Sequence, residues 1–174
     1  KSVAAQRKHF KLSSTRALEK QPEYLATGSL KLRNYQLDGL NWMVYSWSQD
    51  RNVILADEMG LGKTVQCASF IGYLSQTMAI RGPFLVVVPL STVPNWVREF
   101  RRWTPMVNTI VYVGDSRSRE VIRAFEFDVE GGGARAAREG GRKYFEVLIT
   151  TYELILKDAA VLGRINWAYL LVDK

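Results

Sequence analysis

Two residue types that build most metal sites and all disulfides are nearly missing, since the 174-residue chain has one cysteine, Cys67, and one histidine, His9. A lone thiol cannot close an internal disulfide, and one Cys with one distant His cannot assemble a metal-ligand set. A disulfide scaffold and a zinc domain are therefore excluded, and a reducing compartment is expected. Long apolar runs are also missing. No stretch approaches the roughly 18 apolar residues needed to cross a bilayer, and the N-terminus has no secretory h-region, so a soluble protein with no membrane partner is expected. Acidic residues are in deficit, 17 against 24 Lys and Arg, and the net charge of +7 suits a polyanionic partner. Charge alone fits an ordinary basic surface equally well.

What is present is a hydrophobic content of 47%, enough for one sizeable core and one domain. Residues 1–31 carry Lys1, Arg7, Lys8, Lys11, Arg16 and Lys20, with Pro22 and Gly28 but no sustained apolar period, and read as a basic arm or linker. From Tyr35 the spacing of Leu37, Leu40, Met43, Val44 and Trp47 predicts a helix. Trp42, Trp47 and Trp103 share helical spacing with other apolar residues and are expected to pack in the core or an interface. Val53 to Ala56 reads as a short buried strand, and Thr64 to Thr77 as a helix. Phe84 to Val88 is a β-branched run ending at Pro89, the pattern of a strand covered on both faces. Val93 to Trp103 is amphipathic, Thr109 to Val113 strand-like, and Ser116 to Phe127 helical. The glycine- and arginine-rich segment 131–141 reads as a flexible loop. Val147 to Ile149 and Ala168 to Val172 are the last strands, flanking a helix near Tyr152 to Leu162. Alternation of this kind specifies an α/β fold, a parallel β-sheet with helices on both faces.

The stretch Asp57, Glu58, Met59, Gly60, Leu61, Gly62, Lys63, Thr64 lies between the expected strand at 53–56 and a helix, which is the context of a phosphate-binding loop. Binding a phosphate cluster needs backbone N–H groups turned inward, which Gly60 and Gly62 permit, and the helix N-terminus adds its dipole. Lys63 can reach the β- and γ-phosphates of ATP, and the Thr64 hydroxyl can go to magnesium. The strict pattern GxxxxGK[ST] is not met, because Asp57 stands at its first glycine.

These eight residues resemble motif I of the Swi/Snf-type branch of superfamily-two helicases, where an aspartate at that position is usual. Leu32 to Trp42 resembles the branch's Q-motif, which implies that Gln36 contacts adenine; its amide offers a donor and an acceptor to one base edge. Taken alone, Gln36 is more often a solvated residue near a helix N-terminus, and its pairing with the loop reverses that reading. Pro89 to Trp96 resembles motif Ia, and Ile149 to Glu153 motif Ib. The resemblance implies a DNA-facing rim that includes Ser91, Thr92, Asn95, Trp96, Thr150 and Thr151, whose hydroxyls and amides suit backbone phosphates. Helix N-capping is the alternative for Ser91, Thr92 and Thr151. The wording around the motifs is most similar to chromodomain-helicase-DNA-binding remodelers of the first subgroup, in Glu19 to Leu25, Gly82 to Val88 and Leu156 to Trp167.

The resemblance implies an N-terminal RecA-like lobe over residues 32–174, cut at motif II, with ATP and magnesium as cofactors. Leu170 to Asp173 has the Walker B form, so Asp173 would hold magnesium. In the family a glutamate follows and polarises water, whereas here Lys174 does, and an ammonium cannot act as a base. Lys63 and Asp173 are the expected catalytic residues, hydrolysis by this chain is not expected, and duplex DNA or nucleosomes, a second lobe and chromodomains are the implied partners in the nucleus. A non-catalytic DNA- or chromatin-binding fragment with a vestigial pocket, and a phosphotransferase unrelated to DNA, remain as alternatives.

Overall fold

Helix α1 forms over Asn34–Ser48 and turns Leu40, Met43, Val44 and Trp47 inward, as the apolar spacing predicts. Of the three tryptophans expected in the core or an interface, Trp42 lies outside this core. It is 43% exposed, whereas Trp47 and Trp103 are buried. Five residues separate it from Trp47, which places the two about 140° apart around the helix, off the buried stripe. Helix α2 spans Lys63–Gln76 and packs against α1 with Ala68, Phe70, Ile71 and Leu74 buried. A methyl group at Gly72 would lie 2.5 Å from Thr104 Cγ2 and 3.0 Å from Leu25 Cδ2, so neighbouring segments reach α2 at a distance that only glycine allows.

This computed structural model describes residues 17–26, 28–127 and 145–174. The expected loop 131–141 and the arm's first sixteen residues lie outside them. The rest of the expected arm is held in place. Leu25 is 2% exposed, Leu18 exchanges two hydrogen bonds with the Asn41 side chain, and Gln21 donates to the carbonyls of Leu25 and Leu30 while accepting from Leu32 N–H. Side-chain amides rather than an apolar face fix this segment, which is why periodicity misses it. Residues up to Ile80 with Glu99–Met106 form one compact unit, and Arg81–Arg98 with Val107–Lys174 form a second.

The strand expected at Val53 to Ala56 is not formed, and Ile54 is 87% exposed. A strand exists through its ladder, and among the described residues the first unit contains no other strand to pair with it.

The second unit is built on a four-stranded parallel sheet of β1 (Phe84–Val87), β2 (Thr109–Val111), β3 (Val147–Thr150) and β4 (Tyr169–Val172), in the order β2-β3-β1-β4. Phe84 is in register with Val147 on one side and Tyr169 on the other. β1 and β3 are buried throughout, on both faces, as uninterrupted apolar runs require. One face packs Leu85, Val87 and Leu148 against Tyr112, Phe127, Phe145, Leu162 and Ile165. β4 departs from the expectation of a strand apolar on both covered faces. It is an edge, and Leu170 and Val172 are more than half exposed.

Helix α3 covers Val93–Trp103, following a 3-10 turn at Leu90–Thr92. The helix expected over Ser116 to Phe127 is α4, Ser116–Ile122, continued by a π-type turn over Arg123–Phe127. Asp115 caps α4 by accepting from Ser118 N–H at 2.7 Å. The helix expected near Tyr152 to Leu162 is broken into α5, Tyr152–Lys157, and α6, Ala159–Leu162. The break is at Asp158, whose side chain joins a largely buried charge cluster. The Asp158 carboxylate accepts from Tyr112 Oη at 2.6 Å and Arg119 Nε at 2.7 Å, and Arg123 Nη1, 3.6 Å away, donates to Tyr112 Oη.

The Arg119 hydrogen bond, with help from Tyr112, holds the Asp158 carboxyl below its ordinary value, and burial pushes the Tyr112 phenol up. A carboxylate whose folded pKa is depressed contributes stability that is present above its unfolded pKa and lost as pH falls through the folded one. Urea midpoints measured from about pH 6 down to about pH 2.5 should therefore fall more steeply for the parent than for Asp158→Asn, which carries no titrating group there. Equal slopes would remove the cluster from the acid sensitivity of the fold.

Candidate functional site

Between Asp57 and Thr64 the backbone turns through Gly60 at φ +88° and Gly62 at φ +80°, both left-handed. Gly62 is also the N-cap of α2, with no side-chain cap on the helix's first N–H groups. A 14-residue helix whose first turn lacks a side-chain cap, entered through two left-handed glycines, is a fit for an anion. Beside Gly60 a methyl group would meet nothing within 4 Å, so the crest of the loop is open, and Met59 is 95% exposed. Lys63 Nζ lies back over the loop, donating to the carbonyls of Asp57 at 2.6 Å and Glu58 at 3.1 Å. Thr64 stands in the first turn of α2, half-buried.

Side-chain amides hold both ends of this loop. Gln36 Nε2 donates to the Leu61 carbonyl at 3.1 Å, as does the Tyr35 hydroxyl, while Gln36 Oε1 accepts from Arg33 N–H at 3.0 Å. Each end of the Gln36 amide is therefore engaged once by backbone, which leaves a second N–H and a second lone pair for an adenine edge. At the other end, Gln66 Nε2 donates to Asp57 Oδ2 at 2.9 Å. Gln66, Gly39 and Tyr35 were not among the residues singled out from sequence. Their signals were a glutamine four residues before Phe70 on the apolar stripe of α2, and a glycine inside α1, where it costs about 1 kcal/mol relative to alanine.

In the second unit, Asp173 follows β4 and extends the ladder, its N–H on the Val87 carbonyl at 2.9 Å. Trp96 Nε1 donates to Asp173 Oδ2 at 2.9 Å, and the Tyr152 hydroxyl donates to the Asp173 carbonyl. The other carboxylate oxygen of Asp173, Oδ1, accepts from the Lys174 N–H at 3.0 Å, and a half-buried carboxylate fixed in this way at the end of a strand suits a magnesium ligand, directly or through water. The residues of the expected rim differ in exposure. Trp96 is 2% exposed with its indole N–H on Asp173, and Thr150 is fully buried with its hydroxyl on the Tyr112 carbonyl. Thr151 is 7% exposed and makes no side-chain cap to α5. Thr92 donates to the Pro89 carbonyl rather than capping a helix, and Asn95 accepts from Arg98. Ser91 is the one hydroxyl of the set that is exposed, on the 3-10 turn beside Leu90. Following a strand places a hydroxyl near the rim, but burial decides which way it faces.

Residues 35–174 match the SNF2-related domain family. Over its whole length the chain is 55% identical to the protein CHROMATIN REMODELING 5 of Arabidopsis thaliana, of which it covers 10%. It is 48% identical over 159 residues to chromodomain-helicase-DNA-binding protein 1 of Homo sapiens, covering 91% of this chain and 9% of that protein. The chain thus spans about a tenth of the length of these relatives. Among solved structures it is similar to the Sulfolobus solfataricus SWI2/SNF2 ATPase core in complex with dsDNA, with a TM-score of 0.68 and 28% identity over 91% of this chain and 28% of that one. The same core solved as a domain gives a TM-score of 0.68 at 26% identity over 94% of this chain and 28% of that one.

The two loop glycines should respond differently to a methyl group. Alanine in a left-handed conformation costs about 1–2 kcal/mol. Gly60→Ala should lose about that much, whereas Gly62→Ala should lose more, because its methyl would also lie 2.4 Å from Gln36 Nε2. Chemical denaturation of both variants gives the order, and equal losses would mean that Gln36 does not press on Gly62.

Proposed function

Because the chain belongs to the SNF2-related domain family, we propose that it is the ATP-binding and DNA-contacting first lobe of an ATP-driven chromatin-remodeling motor. The observation that carries this reading is the loop from Asp57 to Thr64, with two left-handed glycines leading into a helix whose N-terminus lacks a side-chain cap. Magnesium-bound ATP would place its phosphates against these N–H groups, and magnesium would offset phosphate charge when bound. Lys63 would exchange the carbonyls of Asp57 and Glu58 for the β- and γ-phosphates. Thr64 in the loop and Asp173 after β4 are each proposed as magnesium residues, and Gln36 as the adenine contact.

Duplex DNA is the proposed second ligand, held through backbone phosphates by the segments after β1 and β3, with Ser91 the best-presented hydroxyl. The net charge of +7 supports this, and so does the similarity to a core solved with dsDNA. In the whole protein the proposed partners are nucleosomes, a second RecA-like lobe and chromodomains, in the nucleus. Lys174 beside Asp173 cannot take a proton from water, so binding rather than turnover is proposed for this chain. A second reading, a DNA- or chromatin-binding fragment with a vestigial pocket, is favoured by one observation, the engagement of Lys63 by its own loop. Calorimetry separates the two.

The ammonium of Lys63 should contribute roughly 1.5–3 kcal/mol to phosphate binding. Lys63→Ala should then weaken magnesium-dependent ATP binding by about ten- to a hundredfold, and unchanged affinity would favour the vestigial pocket. Duplex DNA should bind without sequence preference, with the logarithm of affinity falling linearly in the logarithm of salt concentration, and a flat titration would overturn the DNA assignment.

A further inference from the structure

The generic phosphate loop begins with glycine, and Asp57 replaces it here. We propose that Gln66 is a positioning residue for the phosphate site, acting through the carboxylate of Asp57, and that Gly39 exists to seat it. The inference rests on the reading of Asp57 to Thr64 as a phosphate site.

Gln66 is the fourth residue of α2 and is fully buried. Its Nε2 lies 2.9 Å from Asp57 Oδ2. The orientation of the amide follows from chemistry, because a carboxylate only accepts and so must face the NH2 group. Its Oε1 is then turned toward α1, where a Cβ on residue 39 would come within 1.9 Å of it. That oxygen has no hydrogen-bond partner among the described residues. A helix-interior glycine and a buried carbonyl without a partner are each unfavourable, so the pair has little to recommend it as packing. What the arrangement supplies is a donor fixed against the first residue of the loop.

The consequence for the loop is geometric. Leu61 is held through Gln36 and Tyr35, and Asp57 through Gln66, so the turn between them is tethered at both ends by side chains of α1 and α2. The Asp57 carbonyl accepts from Lys63 Nζ, so the residue that Gln66 fixes is also the one on which the phosphate-binding lysine rests. Gln66 thereby sets where Lys63 is released toward phosphate without touching phosphate itself.

The test uses the 174-residue chain with magnesium and ATP as the probe, measured by calorimetry, and thermal melting without nucleotide. Gln66→Leu keeps the volume and removes both polar ends, so the melting temperature should hold or rise while ATP affinity falls about tenfold. In an Asp57→Gly background, which restores the generic loop, the same substitution should change affinity by less than about twofold, because the coupling partner is gone. Gln66→Met, unbranched like glutamine but without a donor, decides the matter if Gln66→Leu does not fold: affinity should again fall about tenfold with the melting temperature held, and an unchanged affinity would overturn the positioning role.

Lys63→Ala distinguishes the failures. If it weakens binding while Gln66→Leu leaves affinity unchanged, the phosphate site stands and the positioning role is overturned. Equal losses of affinity and melting temperature in both backgrounds would overturn it as well. A parent chain that binds no ATP, or one whose binding ignores Lys63, would overturn the phosphate reading and this inference together.

Discussion

The carboxamide of Gln36 joins the first turn of α1 to the Leu61 carbonyl, and the carboxamide of Gln66 joins α2 to the Asp57 carboxylate. Glycines make the intervening loop possible but cannot make it stay, since a glycine loses more conformational freedom on ordering than any other residue. Neutral amides suit this task because they carry donor and acceptor without the desolvation that a buried charge brings. The α1–α2 packing that buries Leu40, Trp47, Phe70 and Ile71 brings the two glutamines to the loop. The apolar core of the first unit is in this sense the support of its polar site.

The second unit handles its key carboxylate in a related way. Asp173 is placed by the β1–β4 ladder and oriented by the indole of Trp96, a buried residue from the segment that resembles motif Ia. The structure places the Trp96 ring in the interior. The same segment leaves Leu90 and Ser91 outside. One short stretch after β1 therefore serves both the interior and the surface, and a motif carried over as a block conceals that division.

Asp158 shows the opposite use of charge. Two arginines and a tyrosine meet one carboxylate where α4 and its π-type continuation face the α5–α6 corner, and the break between those helices lets the side chain reach them. Removing one partner from such a cluster leaves a largely buried charge uncompensated, which is strongly destabilising.

The alternation of apolar runs with amphipathic stretches was sufficient for the α/β class, for α1, α2 and α3 within a residue or so, and for β1 and β3. The order of Asp57 to Thr64 was sufficient for the loop, because glycine placement and a helix start are local properties. Periodicity tells which side of an element is apolar; it does not tell what meets that side. The Val53 to Ala56 run has the composition of a strand and, among the described residues, no partner strand in its unit. Trp96 bonds a residue 77 positions away, and Gln36 one 25 positions away. Hydrogen bonds across such separations depend on how helices and sheet pack. Only the tertiary structure could decide that Thr150 and Trp96 turn inward, that α5 and α6 part at Asp158, and that Gln66 reaches Asp57 past a glycine.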